Sequence, residues 1–269
     1  MRAVKRWCKS RYADLRNADR RKAVAEEISH YLGNPVRLEK SGNRGQDDIY
    51  YIYFNGKPDP SHVLRLYNPF KKEKIFDDSC PFIILPYESR IEQEWKAYQT
   101  GYSFSLTPNP VWKDRDALVC EYLPYTTMHD ILLSCPDRSW ELINRAADRL
   151  QDLHRAGLIH MDASLANILT DPELDNLVFI DFEFTPAAGL SLRHQQLYDH
   201  LRLLESSMKF IPENRLNDSG TWLQKLNIIF GDNPPDTGLD ILVPALSRLR
   251  NNDRLWNKIN TMLYGKSVL

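Results

Sequence analysis

The stretch from Leu153 to Glu183, LHRAGLIHMDASLANILTDPELDNLVFIDFE, constrains this chain more than any other. Two short apolar runs, Asn167-Ile168-Leu169 and Leu177-Val178-Phe179-Ile180, each abut acidic or amide residues that an ordinary buried strand would avoid. Polar groups beside a core cost free energy unless they find partners. Asp162, Asn167 and Asp181 therefore read as a metal and phosphate site carried at the ends of two neighbouring strands. Asp175-Asn176 is placed to join those strands as a hairpin. Taken singly, each of the three has a structural reading: an aspartate cap, an asparagine turn, a turn aspartate. Together at this spacing they put three oxygen donors in one cleft. Oxygen-only ligands suit magnesium held partly by substrate phosphates. Asp162 then faces an acceptor hydroxyl, accepting or orienting its proton, while Asn167 and Asp181 hold the metal.

The totals bound the rest. A chain of 269 residues buries a substantial core as one large or two small domains. Lys plus Arg nearly balance Asp plus Glu, leaving a net charge of -1, so no global field points to DNA or RNA. Four scattered cysteines, Cys8, Cys80, Cys120 and Cys135, form no Cys-x-x-Cys pair, which fits a reducing compartment. The apolar runs fall short of the roughly 20 residues a bilayer needs, and the basic start lacks a signal peptide's apolar run. A cytoplasmic protein is expected. Residues 1 to 27 carry nine Lys or Arg against four acids, with Val4, Trp7, Cys8, Tyr12 and Leu15 at helical spacing. This basic amphipathic helix either docks on its own domain or lies on the inner face of an anionic membrane.

A second helix, around Arg20 to Leu32, ends at Gly33. Val36-Arg37-Leu38, Ile49 to Phe54 and His62 to Tyr67 then read as three antiparallel strands in series. Between the first two, the turn Gly42-x-x-Gly45 is either a plain hairpin or a loop laying backbone N–H groups over phosphates. Glu88 to Gln99 reads as a helix stopped by Thr100-Gly101, with Ile91, Trp95 and Tyr98 on one stripe. Glu94 lies on that stripe, three residues past Ile91 and four before Tyr98. Glu88 is its rival for the same role. Ala117 to Tyr122 is a further strand, and composition changes there from strand-rich to helix-rich. Leu123-Pro124 is the expected hinge between two lobes, where backbone groups of Glu121 and Leu123 would pair with an adenine. A long buried helix through Ile143, Ala146, Ala147, Leu150 and Leu153 follows, and the pattern is helical again from Leu197 onward.

The string L-H-x-x-G-L-I-H-x-D-x-x-x-x-N-I-L, followed by I-D-F, resembles the catalytic loop and metal-binding motif of the protein-kinase-like superfamily. Within it the chain is most similar to the small atypical branch of RIO kinases, Bud-type kinases and lipopolysaccharide sugar kinases. Ser164 stands two after Asp162 where conventional Ser/Thr kinases have lysine, and Asp181-Phe182-Glu183 replaces Asp-Phe-Gly. Tyr198-Asp199-His200-Leu201-Arg202-Leu203-Leu204-Glu205 resembles a Bud-type segment, by which Asp199 would brace the catalytic loop. The resemblance implies an α+β, two-lobed protein-kinase-like fold: a basic helical extension (1–34), an N-lobe with an antiparallel sheet and a C-helix (35–124), and a mainly helical C-lobe (125–269). It implies ATP and magnesium as cofactors, with Gly42, Gly45, Arg65, Glu94, Glu121 and Leu123 around the nucleotide, Asp162 and Asn167 catalytic, and Asn167 and Asp181 on the metal.

There are departures from the family pattern. Arg65 stands where the third strand should offer a lysine, and its planar fork approaches phosphate differently from a compact ammonium. Lys71 or Lys72 is the substitute if the strand register differs. Met161 replaces an arginine that reads phosphorylated activation loops, and no Ala-Pro-Glu motif follows Asp181, so control by loop phosphorylation is not expected. The function implied is an ATP-dependent phosphotransferase acting on a hydroxyl of a sugar, lipid-linked sugar or other small molecule. The alternatives are a RIO- or Bud-like protein kinase or ATPase, a choline- or aminoglycoside-kinase-like enzyme, and a nucleotide-binding pseudokinase scaffold.

Overall fold

Alternating apolar positions over the first half of the chain form a five-stranded antiparallel sheet. Its strands are β1 (Val36–Lys40), β2 (Asp48–Phe54), β3 (His62–Leu66), β5 (Pro110–Asp114) and β6 (Ala117–Glu121), in the order β1-β2-β3-β6-β5. The computed structural model describes residues 11–41, 47–72, 75–236 and 238–265. The protein is α+β, and it divides into two compact units. The first holds the chain through Ile75, Pro86–Tyr102 and Pro108–Leu123; the second holds Phe76–Leu85, Ser103–Thr107 and everything from Pro124.

In the first unit the period-2 pattern of β2 turns Tyr50 and Ile52 inward, and β3 adds Leu64 and Leu66. Helix α1 (Ala18–Leu32) lays Val24 and Ile28 on them, together with Ala117 and Val119 of β6. Gly33, at φ 66°, ends α1 in the left-handed conformation that glycine adopts without penalty. Helix α1 thus completes this core rather than forming an extension to it. Helix α2 (Tyr87–Tyr102) runs through Thr100-Gly101, the expected stop, and ends one residue later. A glycine in the last turn disrupts no helical hydrogen bond, so it need not end the helix.

The N-terminal apolar stripe is only partly described, since residues 1 to 10 lie outside the described residues. Within residues 11–16, which are helical, the expected docking face is reversed: Tyr12 and Leu15 are 56% and 75% exposed, and Ala13 is buried. Polar anchors decide the orientation. Asp14 pairs with Lys40, and Asn17 Nδ2 donates to Tyr67 O at 3.2 Å. Arg16 lies over the Phe70 ring, 4.8 Å from its centroid.

The second unit is mainly helical: α3 (Met128–Ser134), α4 (Ser139–Arg155), α5 (Leu192–Ser207), α6 (Gly220–Phe230), α7 (Ser247–Arg250) and α8 (Asp253–Tyr264). Helix α4 buries Leu142, Ile143, Ala146, Ala147, Leu150 and Leu153 along one stripe. Two small sheets accompany the helices. One has the order β7-β8-β9, with β7 (Thr126–Thr127), β8 (Ile168–Thr170) and β9 (Leu177–Phe179); the other pairs β10 (Phe184–Pro186) with β4 (Phe82–Ile84). Helix α5 begins at Leu192, ahead of the expected Leu197, because Ser191 caps it by accepting from His194 N at 3.3 Å. Among the described residues no helix is long and apolar enough to cross a membrane.

Ile28 is fully buried on the sheet. Ile28→Ala should therefore cost about 2–5 kcal/mol, read from the urea midpoint. A loss under about 0.5 kcal/mol, the usual limit for surface changes, would mean that α1 is dispensable to this core.

Candidate functional site

The β8–β9 hairpin sets Ile168 opposite Phe179, Leu169 opposite Val178 and Thr170 opposite Leu177. Its turn is tied by Asp171, whose Oδ1 accepts from Asp175 N at 2.8 Å and Asn176 N at 3.2 Å. Beyond the ladder, Ile180 N donates to Asn167 O at 3.0 Å. This register brings Asn167, at the start of β8, beside Asp181, just past β9. The third residue, Asp162, joins them through Asn167, whose Nδ2 donates to Asp162 O and to Asp162 Oδ2, each at 3.0 Å. Among the described residues Asn167 Oδ1 accepts no hydrogen bond. An amide oxygen and a carboxylate are hard oxygen donors, and they fit magnesium completed by phosphate oxygens and water. Among the described residues, no group of three or more His, Cys, Asp or Glu is placed to hold a metal.

The loop carrying Asp162 is held by a buried carboxylate. Asp199, on α5 and fully buried, accepts from His160 N at 2.9 Å and Met161 N at 2.8 Å. His154 Nε2 lies 3.0 Å from Asp199 Oδ2. Met161 adopts φ 60° and Asp181 φ 69°, left-handed conformations that cost a non-glycine residue roughly 1–2 kcal/mol. Both sit beside the site, as strained residues often do. His160 ties the loop to the hairpin. Its Nδ1 accepts from Asp162 N at 3.3 Å, which makes Nε2 the protonated nitrogen, donating to Ile180 O at 2.9 Å. Its ring stacks on Phe182 at 4.5 Å.

Asp162 also meets Arg202, whose Nε donates to Oδ1 at 2.8 Å. Burial pushes the Asp162 carboxyl up from the ordinary aspartate range; Arg202 and His160 pull the other way, and Asp181 adds to the rise. Sequence reasoning gave Arg202 and His160 no role. The signal for Arg202 was its place in the Tyr198 to Glu205 segment, three residues after Asp199.

In the first unit, Arg65 sits on β3, the third strand, opposite Ile49 and Leu118. Its Nη1 donates to Glu94 Oε2 at 2.6 Å and its Nε to Asp47 Oδ2 at 2.7 Å. Glu94, rather than Glu88, is its partner on α2. Tyr98 OH donates to Glu94 Oε1 at 2.8 Å, and Arg90 Nη2 to Asp47 Oδ1 at 3.2 Å. Burial, then Glu94, pushes the Tyr98 hydroxyl and the Cys120 thiol well above their ordinary values, so both stay protonated. Lys71 does not replace Arg65, because its Nζ is 2.9 Å from Asp48 Oδ1 and donates to Asp47 O at 2.8 Å. Asp47 and Arg90 were not foreseen; their only sequence signal is an acidic pair before an alternating strand and an arginine on the buried side of α2.

Gly42 and Gly45 lie outside the described residues. At the end of β6, the Glu121 carboxylate accepts from Asn109 N at 2.8 Å, and Glu121 N donates to Asn109 O at 2.9 Å. Leu123 N donates to no described residue, and the unit boundary falls between Leu123 and Pro124. Compared with known proteins, the chain matches no described family and no curated protein.

Behind the site, His200 is fully buried on α5, its Nε2 without a hydrogen-bond partner among the described residues and its ring 5.5 Å from His154. Burial, then His154, holds it neutral far below the usual histidine range. The unfolded chain takes up a proton near pH 6.5 that the folded state refuses. Stability should hold above pH 6.5 and fall below it, by up to about 1.4 kcal/mol per pH unit from this residue. His200→Gln should flatten that acid limb in urea melts from pH 7.5 to 5; parallel curves would contradict the assignment.

Proposed function

We propose that the chain is a magnesium-requiring, ATP-dependent phosphotransferase with the two-lobed protein-kinase-like architecture. It transfers the γ-phosphoryl group to a hydroxyl of a sugar, lipid-linked sugar or other small molecule. The observation that carries this reading is the Asp162–Asn167–Asp181 constellation: Asn167 Nδ2 donates to Asp162 at 3.0 Å, Ile180 N, just before Asp181, donates to Asn167 O at 3.0 Å, and Asp199 holds the loop. The Arg65–Glu94 pair supports it, because an ion pair between the third strand and the following helix orients a cation for nucleotide phosphates. Magnesium would supply the charge that neutralises phosphate oxygens, held by Asn167 Oδ1 and the Asp181 carboxylate. The acceptor oxygen bonds to the γ-phosphorus while the bond to the β,γ-bridging oxygen breaks, its electron pair leaving with ADP. The hydroxyl proton passes to Asp162.

A small acceptor is favoured over a protein by the segment after Glu183. Residues Phe184–Pro186 pair with Phe82–Ile84, Ala187 N donates to Pro81 O at 3.0 Å, and Ser191 already caps α5. That leaves little chain for a peptide-docking platform or a phosphorylation switch. The basic N-terminal region and exposed Tyr12 and Leu15 suit cytoplasmic work beside an anionic membrane.

Mg·ATP should raise the melting temperature of the native protein by several degrees. A ligand at about 100 times its Kd adds about 2.7 kcal/mol. Asp181→Ala should lose most of that shift while Mg-free melting stays near native. A native protein whose melting is unmoved by Mg·ATP would sink the proposal.

A further inference from the structure

Phosphoryl transfer spreads negative charge over the equatorial oxygens of the moving group, and preorganised cations beside it lower the barrier. Ser164, two residues after Asp162, supplies no charge there; it is buried, and its N donates to Asp162 O at 2.6 Å. A different residue brings a cation to this place. Arg202 reaches Asp162 from α5, forty residues further along the chain, with Nε on Oδ1 at 2.8 Å.

Three features of this pair distinguish it from a sealed structural bridge. Both partners reach the surface: the side chains of Arg202 and Asp162 are 26% and 21% exposed. The contact uses the inner nitrogen Nε alone, not the two-pronged arrangement that guanidinium and carboxylate form when each is the other's whole purpose. And Nη1 and Nη2, with four N–H donors between them, donate to no other described residue. The fork is therefore anchored at its base, within hydrogen-bond distance of the proposed proton acceptor, with its outer donors uncommitted. A planar array of donors matches phosphoryl oxygens geometrically as well as electrostatically.

We infer that Arg202 is a catalytic residue whose outer nitrogens bind the equatorial oxygens of the γ-phosphoryl group during transfer, supplying from α5 the positive charge that the Ser164 position lacks. The inference rests on the phosphotransferase reading above. It adds to Asp162 a neighbour that acts on the phosphoryl group itself as the acceptor oxygen bonds to phosphorus and ADP departs. A residue that only orients Asp162 would leave that group's affinity unchanged.

The test uses the full-length protein and measures, by calorimetry, binding of Mg·ATP and of Mg·ADP with aluminium fluoride, which imitates the planar phosphoryl group. Arg202→Met should keep Mg·ATP affinity within about threefold and lose on the order of 100-fold for the fluoride complex. The same selective loss should appear when Arg202→Met is added to Asp162→Asn, which keeps an oxygen for Nε to bond but cannot take a proton. Arg202→Lys, which keeps the charge without the fork, should fall between native and Met and serves if the Met variant does not fold. Equal affinities for the fluoride complex in native and variant protein, or a loss that vanishes in the Asp162→Asn background, would overturn the assignment while leaving the phosphotransferase reading intact. Native protein that binds neither Mg·ATP nor the fluoride complex would sink the phosphotransferase reading, and this assignment with it.

Discussion

A single buried carboxylate, that of Asp199, organises the second unit. It has no solvent exposure, so its charge must be compensated inside the protein, and it is compensated by two successive backbone N–H groups and His154. Hydrogen bonds to a charged acceptor contribute on the order of 1.5–3 kcal/mol each. That is enough to hold Met161 at its unfavourable φ, which in turn fixes where Asp162 begins. Without this clamp the loop would relax toward ordinary dihedrals and carry Asp162 away from Asn167.

From that clamp the remaining contacts follow as a chain of linked constraints. His160, positioned by its own N–H on Asp199, uses both ring nitrogens to join Asp162 N to Ile180 O. Ile180 N in turn reaches back to Asn167 O, and Asn167 Nδ2 closes the circuit on Asp162. The site is thus over-determined by backbone contacts, and among the described residues Asn167 Oδ1 accepts no hydrogen bond. In the first unit a similar logic applies to Arg65. Two carboxylates, Asp47 and Glu94, meet it from a strand end and a helix, and burial without both would be costly.

Much of this was legible in the sequence, for identifiable reasons. Polar residues abutting short apolar runs marked Asp162, Asn167 and Asp181, and the hairpin register that joins them follows from the Asp175-Asn176 turn. Glu94 could be picked out because it shares the stripe of Ile91 and Tyr98. Strand β5 was missed because Pro110 opens it and it lies at a sheet edge, where pattern and propensity are weakest. The reversed face of residues 11–16 was hidden because Lys40 holds Asp14 and Asn68 Nδ2 donates to Ala13 O, contacts that outweigh an apolar stripe and come from far off in sequence. Arg202 was hidden for the same reason: its partner is forty residues away, and no local period points to it.

The central claim is that Asp162 sits where a phosphoryl acceptor is deprotonated. It is tested most directly by following γ-labelled phosphate leaving Mg·ATP, to water and to a panel of hydroxyl-bearing sugars and small molecules, for native protein and Asp162→Asn. Asparagine keeps the side chain's size and one of its two acceptor oxygens but cannot take a proton, so turnover should fall by at least about 100-fold with nucleotide binding retained. Equal turnover in the two proteins would contradict the claim.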